Sequence, residues 1–211
     1  MTPEALLWAI AAGSALAYGL LFVESPVSVL RTGVKTCAVA ALAVLAYLDG
    51  GSALLAIALT FCALGDAFLA QDPKRWLPLG LAAFLVGHLV YIPLFLEREG
   101  APPVWFWPAA AGVGAAAGLM LRALWGSLGK LRIPVAIYVL AIVGMVVTSL
   151  LLPARVWPTT AGALAFMASD AILSFDLFKN AKLLGSPRLT AWAVWFLYWG
   201  GQAGITHGML S

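Results

Sequence analysis

The sequence predicts an all-α polytopic membrane protein: a bundle of about eight transmembrane helices in a single integral membrane domain, residues 1–211. Three observations carry that prediction. Hydrophobic residues make up 63% of the chain and charged residues only 10%, where a soluble domain carries about 25% charge. Mean hydropathy is +0.99. Apolar runs of about 20 residues, the length that crosses a bilayer, recur along the whole chain.

The runs alternate with short polar breaks. The first covers 4–23 and stops at Glu24-Ser-Pro. The second, 33–48, stops at Asp49-Gly-Gly, and the third, 52–70, at Gln71-Asp-Pro. The fourth, 76–96, is separated from the fifth, 103–122, by Gly100-Ala-Pro-Pro. Gly126 to Gly129 precede the sixth, 132–152, which ends at Pro153. The seventh, 158–177, and the eighth, 189–209, flank Gly185-Ser-Pro. Each break is turn chemistry, and no soluble domain fits between them. The start, Met-Thr-Pro-Glu, lacks a basic n-region, so the first run is expected to persist as a span. Cys37 and Cys62 fall inside apolar runs as small hydrophobes without metal-site spacing.

Charge sets the expected orientation. The segments joining helices 1–2, 3–4, 5–6 and 7–8 hold Arg31, Lys35, Lys74, Arg75, Arg122, Lys130, Arg132, Lys179, Lys182 and Arg188. The opposite side holds Arg98 and Arg155. Both termini are therefore expected on the non-cytoplasmic side of a bacterial inner membrane. Trp76 and Trp125 near one surface, and Trp105, Trp107 and Trp157 near the other, read as interfacial anchors. Net charge is only +3 and the cations lie at helix ends, so nucleic acid is not expected as a partner.

One phrase occurs twice. Residues 65–72 read Gly-Asp-Ala-Phe-Leu-Ala-Gln-Asp and residues 169–176 read Ser-Asp-Ala-Ile-Leu-Ser-Phe-Asp. The copies lie on helices 3 and 7, which allows a weak parallel four-plus-four repeat. Their first acids, Asp66 and Asp170, sit inside apolar runs. A carboxylate there costs roughly 2.5–3.5 kcal/mol on insertion scales, so it is functional by default. The matched settings suggest one shared polar site. The closing acids, Asp72 and Asp176, read as solvated or capping groups.

Helical rise gives the depth of each polar group. Asp66 is expected roughly 7 Å, Tyr138 roughly 9 Å and Asp170 roughly 11 Å from the cytoplasmic helix ends, with Lys35 entering at the start of helix 2. His88 and Gln202 lie deeper, roughly 20 Å from that side. Tyr91 shares a face with His88, and Tyr198 with Gln202. The simplest arrangement is a cavity lined by acids and narrowing toward His88 and Gln202. The plainer readings are snorkelling for Lys35, interhelical hydrogen bonding for His88 and Gln202, and a core or lipid-facing stripe for Trp192, Trp195 and Trp199.

At these residues the chain resembles the YhhN-like lysoplasmalogenase family of eight-helix membrane proteins. The resemblance is carried by Val34-Lys-Thr, Leu64-Gly-Asp-Ala-Phe-Leu, Phe84-Leu-Val-Gly-His-Leu-Val-Tyr-Ile, Val135-Ala-Ile-Tyr-Val-Leu with Met145, Gly162 to Leu173, and Tyr198-Trp-Gly-Gly-Gln. Thr36 departs from the family's frequent proline, and Trp199-Gly-Gly from bulkier residues. The resemblance implies hydrolysis of the vinyl ether bond of lysoplasmalogens to a fatty aldehyde and a glycerophospho-base. It implies Asp66 and Asp170 as catalytic residues and Lys35, His88, Tyr91, Tyr138 and Gln202 as substrate-binding residues. Vinyl ethers yield to acid: the β-carbon takes a proton and water captures the resulting oxocarbenium ion. One carboxyl donates that proton and a second stabilises the cation, a division of labour similar to that of glycosidases.

The implied partners are a vinyl ether lysophospholipid and the bilayer, with no cofactor and no metal. Two other functions compete. A proton-coupled lipid or small-molecule transporter also uses buried acids. A metal-dependent lipid hydrolase would ligate metal through Asp66, His88 and Asp170, but no His-x-x-x-His pair is present. No Gly-x-Ser-x-Gly elbow supports serine-type ester hydrolysis.

Overall fold

The computed structural model describes residues 2–211. Met1 and the side chains of Pro73 and Lys74 lie outside the described residues, and so does the Lys74 contribution to the charge asymmetry. The described residues form helices and no strand. The chain divides after Leu94 into two compact units, one of residues up to Leu94 with 209–211, the other Phe95–Gly208.

The first unit holds α1 (Pro3–Ala17), α2 (Val29–Asp49), α3 (Ala53–Leu69) and most of α4 (Pro73–Leu96). Thr2 caps α1, its hydroxyl accepting from the Ala5 N–H at 3.2 Å, with Pro3 at the first helical position. Such a cap satisfies an amide that has no intrahelical partner. The far end of α1 widens into a π-helical turn, Tyr18–Phe22. Helix α2 begins four residues earlier than the apolar pattern predicts, because Ser28 caps it by accepting from the Arg31 N–H at 3.1 Å. Arg31 and Lys35 are thereby helical residues one turn apart. Gly50 ends α2 at φ 74°, a left-handed conformation suited to glycine. Only three residues then separate α2 from α3, so the pair forms a tight antiparallel hairpin, in which Leu42, Leu45, Leu55 and Leu59 are buried. On the other side of α3, a Cβ on Gly65 would lie 2.6 Å from the Phe84 ring and one on Gly87 2.8 Å from the Cys62 sulfur. Helix α4 therefore approaches α3 with no room for side chains at either crossing.

The second unit holds α5 (Phe106–Leu124), α6 (Arg132–Ser149), α7 (Trp157–Lys179) and α8 (Pro187–Leu210) up to Gly208. Ala117, Leu124, Leu128, Val135 and Val139 form its buried cluster, with Met167 and Phe175 of α7 packed on it. Two connections are tied together by the Gly100 N–H donating to the Leu151 carbonyl at 2.8 Å. Helices α7 and α8 pack backbone to backbone, since a Cβ on Gly162 would lie 2.5 Å from the Gly201 carbonyl oxygen. Close approach through small residues is how helices associate where lipid supplies no hydrophobic drive.

Six described helices are long and apolar enough to cross a membrane. Helix α3, at 17 residues, is about one turn short of the usual span, and α8 carries Arg188, Gln202 and His207 among its 24 residues.

Candidate active site

In the first unit, Asp66 lies on α3 and is 1% exposed. Helix α3 ends at Leu69, so Asp66 sits only about 4.5 Å from its end at the helical rise, shallower than expected. Lys35 reaches it from α2, with Nζ 3.2 Å from Oδ1. A buried carboxylate with an ammonium at that distance is a desolvated ion pair, and removing either member leaves a costly charge.

The helix boundaries explain why this pair forms. Ser28 starts α2 early enough to bring Arg31 and Lys35 onto one face. Arg31 then locks the surroundings. Its Nη1 donates to the Ala70 carbonyl at the end of α3 at 2.5 Å, its Nε to the Phe22 carbonyl at 3.2 Å, and its Nη2 to the Tyr18 hydroxyl at 3.2 Å. The Tyr18 ring lies under both cations, 5.7 Å from the Arg31 guanidinium and 5.8 Å from Lys35 Nζ. Cations over an aromatic face are attracted by its quadrupole. Tyr18 and Arg31 are the positioning residues that sequence reasoning missed. Arg31 read as a loop cation, and its spacing of four from Lys35 was the available signal. Tyr18 projects from a π-turn, which apolar periodicity does not reveal.

His88 and Tyr91 are fully buried on α4. Gly65 faces Phe84 and Gly87 faces Cys62 across the antiparallel α3–α4 contact. His88 therefore lies near the level of residue 61, one to two turns from Asp66 toward the start of α3.

In the second unit, Asp170 lies on α7 and is partly exposed. Helix α7 runs on to Lys179, which leaves Asp170 about 13.5 Å from its end, deeper than expected. The Tyr138 hydroxyl on α6 donates to Asp170 Oδ2 at 2.5 Å. That is the short end of the O–H···O hydrogen-bond range. The neighbouring Ser169 hydroxyl donates to the Val194 carbonyl at 2.8 Å and so fixes the level of α8. Gln202 is fully buried two turns along α8 from that level. The Phe166 ring meets Tyr198 edge-on at 5.1 Å.

The structure therefore joins Lys35 to Asp66 and Tyr138 to Asp170, each acid with a partner from the helix that precedes it. The closing acids of the repeated phrase differ from these. Asp72 is exposed, and Asp176 pairs with Lys182 at the end of α7. Among the described residues, no group of three His, Cys, Asp or Glu side chains is placed to hold a metal ion.

The YhhN family model matches residues 30–209, so the chain belongs to the YhhN family. A Mycobacterium bovis protein named lysoplasmalogenase is 37% identical over 158 residues, covering 72% of this chain and 58% of that relative. A Mycobacterium tuberculosis protein of the same name gives the same identity and coverage. The matched region thus spans less than two thirds of either relative. No solved structure matches the chain.

Proposed function

We propose that this YhhN-family chain hydrolyses the vinyl ether bond of lysoplasmalogens, releasing a fatty aldehyde and a glycerophospho-base. The observation that carries the reading is the 37% identity to two proteins named lysoplasmalogenase. Two acids on membrane helices, each held by a specific partner, supply chemistry that suits the bond.

Asp170 is assigned as the proton donor. Its Oδ2 accepts from Tyr138, so the transferable proton belongs on Oδ1. It is also the more exposed of the two acids, and a general acid has to reach its substrate. The proton goes to the β-carbon, where the π electron pair forms the new C–H bond, and the α-carbon becomes an oxocarbenium ion. Asp66 is assigned the counter-charge that stabilises this cation. Lys35 is shared between Asp66 and the substrate phosphate, so phosphate binding leaves more of the Asp66 charge available. Water adds to the α-carbon and its proton returns to Asp170. The hemiacetal then loses the glycerol oxygen as an alcohol and leaves the aldehyde. His88, Tyr91 and Gln202 are assigned to substrate contact.

The test uses purified protein with alkenyl, alkyl and acyl lysolipids of equal chain length. Only the alkenyl compound should be consumed, and aldehyde trapped at once by reduction should carry oxygen from labelled water. Fatty acid released from the acyl compound at a matching rate would make the protein an esterase. The proposed setting is a bacterial inner membrane with both termini on the non-cytoplasmic side. A C-terminal reporter that works only in the cytoplasm should stay silent, and a bright signal would reverse the orientation.

A further inference from the structure

The hairpin of α2 and α3 carries a groove that the Lys35–Asp66 pair does not occupy. One wall is a single face of α2, from Thr36 through Ala40 to Tyr47, and the other is a face of α3 from Ala56 to Leu64. The groove encloses about 640 Å³, within the range of about 300–1,000 Å³ typical of small-molecule sites. Alanines deepen it, while Val44, Tyr47, Ile57 and Leu64 are 43–76% exposed and leave it open along one side. The eleven residue steps of α2 from Thr36 to Tyr47 make it about 16 Å long at the helical rise, the reach of an extended chain of roughly a dozen carbons.

The two ends differ. Thr36 and Leu64 stand at the end next to Lys35 and Asp66 in sequence, and Tyr47 and Ala56 stand at the other. The Thr36 hydroxyl is buried and has no hydrogen-bond partner among the described residues. A buried hydroxyl without a partner costs free energy, which a ligand oxygen could recover. Beyond it the groove is apolar except for Thr60, whose hydroxyl is already spent on the Ala56 carbonyl at 2.7 Å, and Tyr47 at the far, open end, which is 76% exposed.

We infer that this groove binds the single hydrocarbon chain of a lysolipid, with the glycerol end at Thr36 and the chain terminus at Tyr47. Side access suits a ligand that arrives from the bilayer. A buried, unsatisfied hydroxyl at one end and an exposed, solvent-reaching Tyr47 at the other suit a molecule whose single polar end enters at Thr36. The inference deepens the proposed hydrolysis and rests on it for the identity of the lipid. It adds where the chain lies and which way it points.

The test is covalent capture, which needs no turnover. Full-length protein is photolysed with long-chain 1-O-alkyl lysophosphocholine, a saturated ether that the acid route does not cleave. One probe carries a diazirine near the ether oxygen and another carries it at the chain terminus. The first should label peptides around Thr36 and Leu64, and the second peptides around Tyr47 and Ala56. Unlabelled alkyl lysolipid should displace both. Ala40→Phe on one wall and Ala56→Phe on the other should each abolish most of the labelling, so a folding defect in one variant leaves the other as the test. Labelling spread evenly over exposed positions such as Leu20, Leu119 and Leu140 would overturn the inference. Equal capture of a diacyl probe, or crosslinks between two copies of the chain through this face, would also overturn it. Specific labelling without hydrolysis would sink only the proposed reaction, and hydrolysis without specific labelling would sink only the groove.

Discussion

Asp66 and Asp170 open the same eight-residue phrase, yet one carboxyl holds an ammonium and the other a phenol. Each partner comes from the preceding helix, and the spacing is nearly the same. Lys35 lies thirty-one residues before Asp66, and Tyr138 thirty-two before Asp170. The two units thus keep a position for a partner and vary its chemistry. Surroundings follow the same division. The Lys35–Asp66 pair is braced by Arg31, which bonds carbonyls of two different segments, and Asp66 is all but sealed. Asp170 is partly exposed. Matched sequence phrases thus give one sealed acid paired with an ammonium and one partly exposed acid held by a phenol, the difference on which the proposed division of roles rests.

The largest expected effects fall on the acids themselves. Asp66→Asn and Asp170→Asn should each lower turnover by about 100-fold or more, the scale of a lost general acid or a lost charge stabiliser. Steady-state aldehyde release checks this, and near-normal turnover in either variant would break the two-carboxylate mechanism. The contrast between the units predicts that stability separates the two variants. Asp66→Asn strands a buried ammonium and should unfold far more easily than Asp170→Asn.

That contrast sharpens at Lys35. Lys35→Met leaves Asp66 without its 3.2 Å partner, and breaking a buried pair costs about 3–5 kcal/mol. The double variant Lys35→Met with Asp66→Asn removes both charges and should recover most of that stability while staying inactive. Thermal unfolding in one detergent measures the cycle. If the double variant is no more stable than the singles, Lys35 and Asp66 do not form a desolvated ion pair.

Tyr138→Phe should act more mildly. It deletes one hydrogen bond to a protonated carboxyl, about 0.5–1.5 kcal/mol, so turnover should fall about two- to tenfold. The protein should remain folded, because phenylalanine keeps the ring. An unchanged rate would remove Tyr138 from the proton-donating unit and undo the division of roles between the two acids.

Much of this was legible in the sequence, for identifiable reasons. Asp49-Gly50-Gly51 announced a turn, and Gly50 does take the left-handed conformation. Asp66 and Asp170 stood out because apolar helices penalise carboxylates, and Tyr138 could be placed near the same depth by helical rise. What stayed hidden was azimuth. A single sequence gives the depth of a residue along its helix but not which neighbour it faces, so Lys35–Asp66 and Tyr138–Asp170 could not be paired. Depth itself erred where helix ends were misjudged, as at Leu69 and Lys179. Tyr18 was lost because five residues of π-helix shift a side chain in a way that no apolar pattern records. The apolar pattern starts α2 late because a cap is polar: Ser28 lies outside the apolar run, although it fits the helix-start signal.

The smallest expected effect is the sharpest control on the comparison. Asp72 and Asp176 close the same phrase six residues after Asp66 and Asp170, so they share its sequence context but not its setting. Asp72 is exposed, and Asp176 bonds to Lys182 where α7 ends. The Asp176–Lys182 side chains are about a quarter exposed at a helix end, where solvent-screened ion pairs are worth about 0–1 kcal/mol, and substitutions at exposed positions such as Asp72 mostly stay within about 0.5 kcal/mol. Asp72→Asn and Asp176→Asn should therefore leave turnover within about twofold of normal and barely move the unfolding temperature. Assayed beside Asp66→Asn and Asp170→Asn in one preparation, they hold residue type and motif constant while changing partner and position along the helix. If Asp176→Asn were as damaging as Asp170→Asn, the hydrogen bond from Tyr138 would not be what makes an aspartate act here. The repeated phrase would then mark a site at the helix end, built around the Asp176–Lys182 pair.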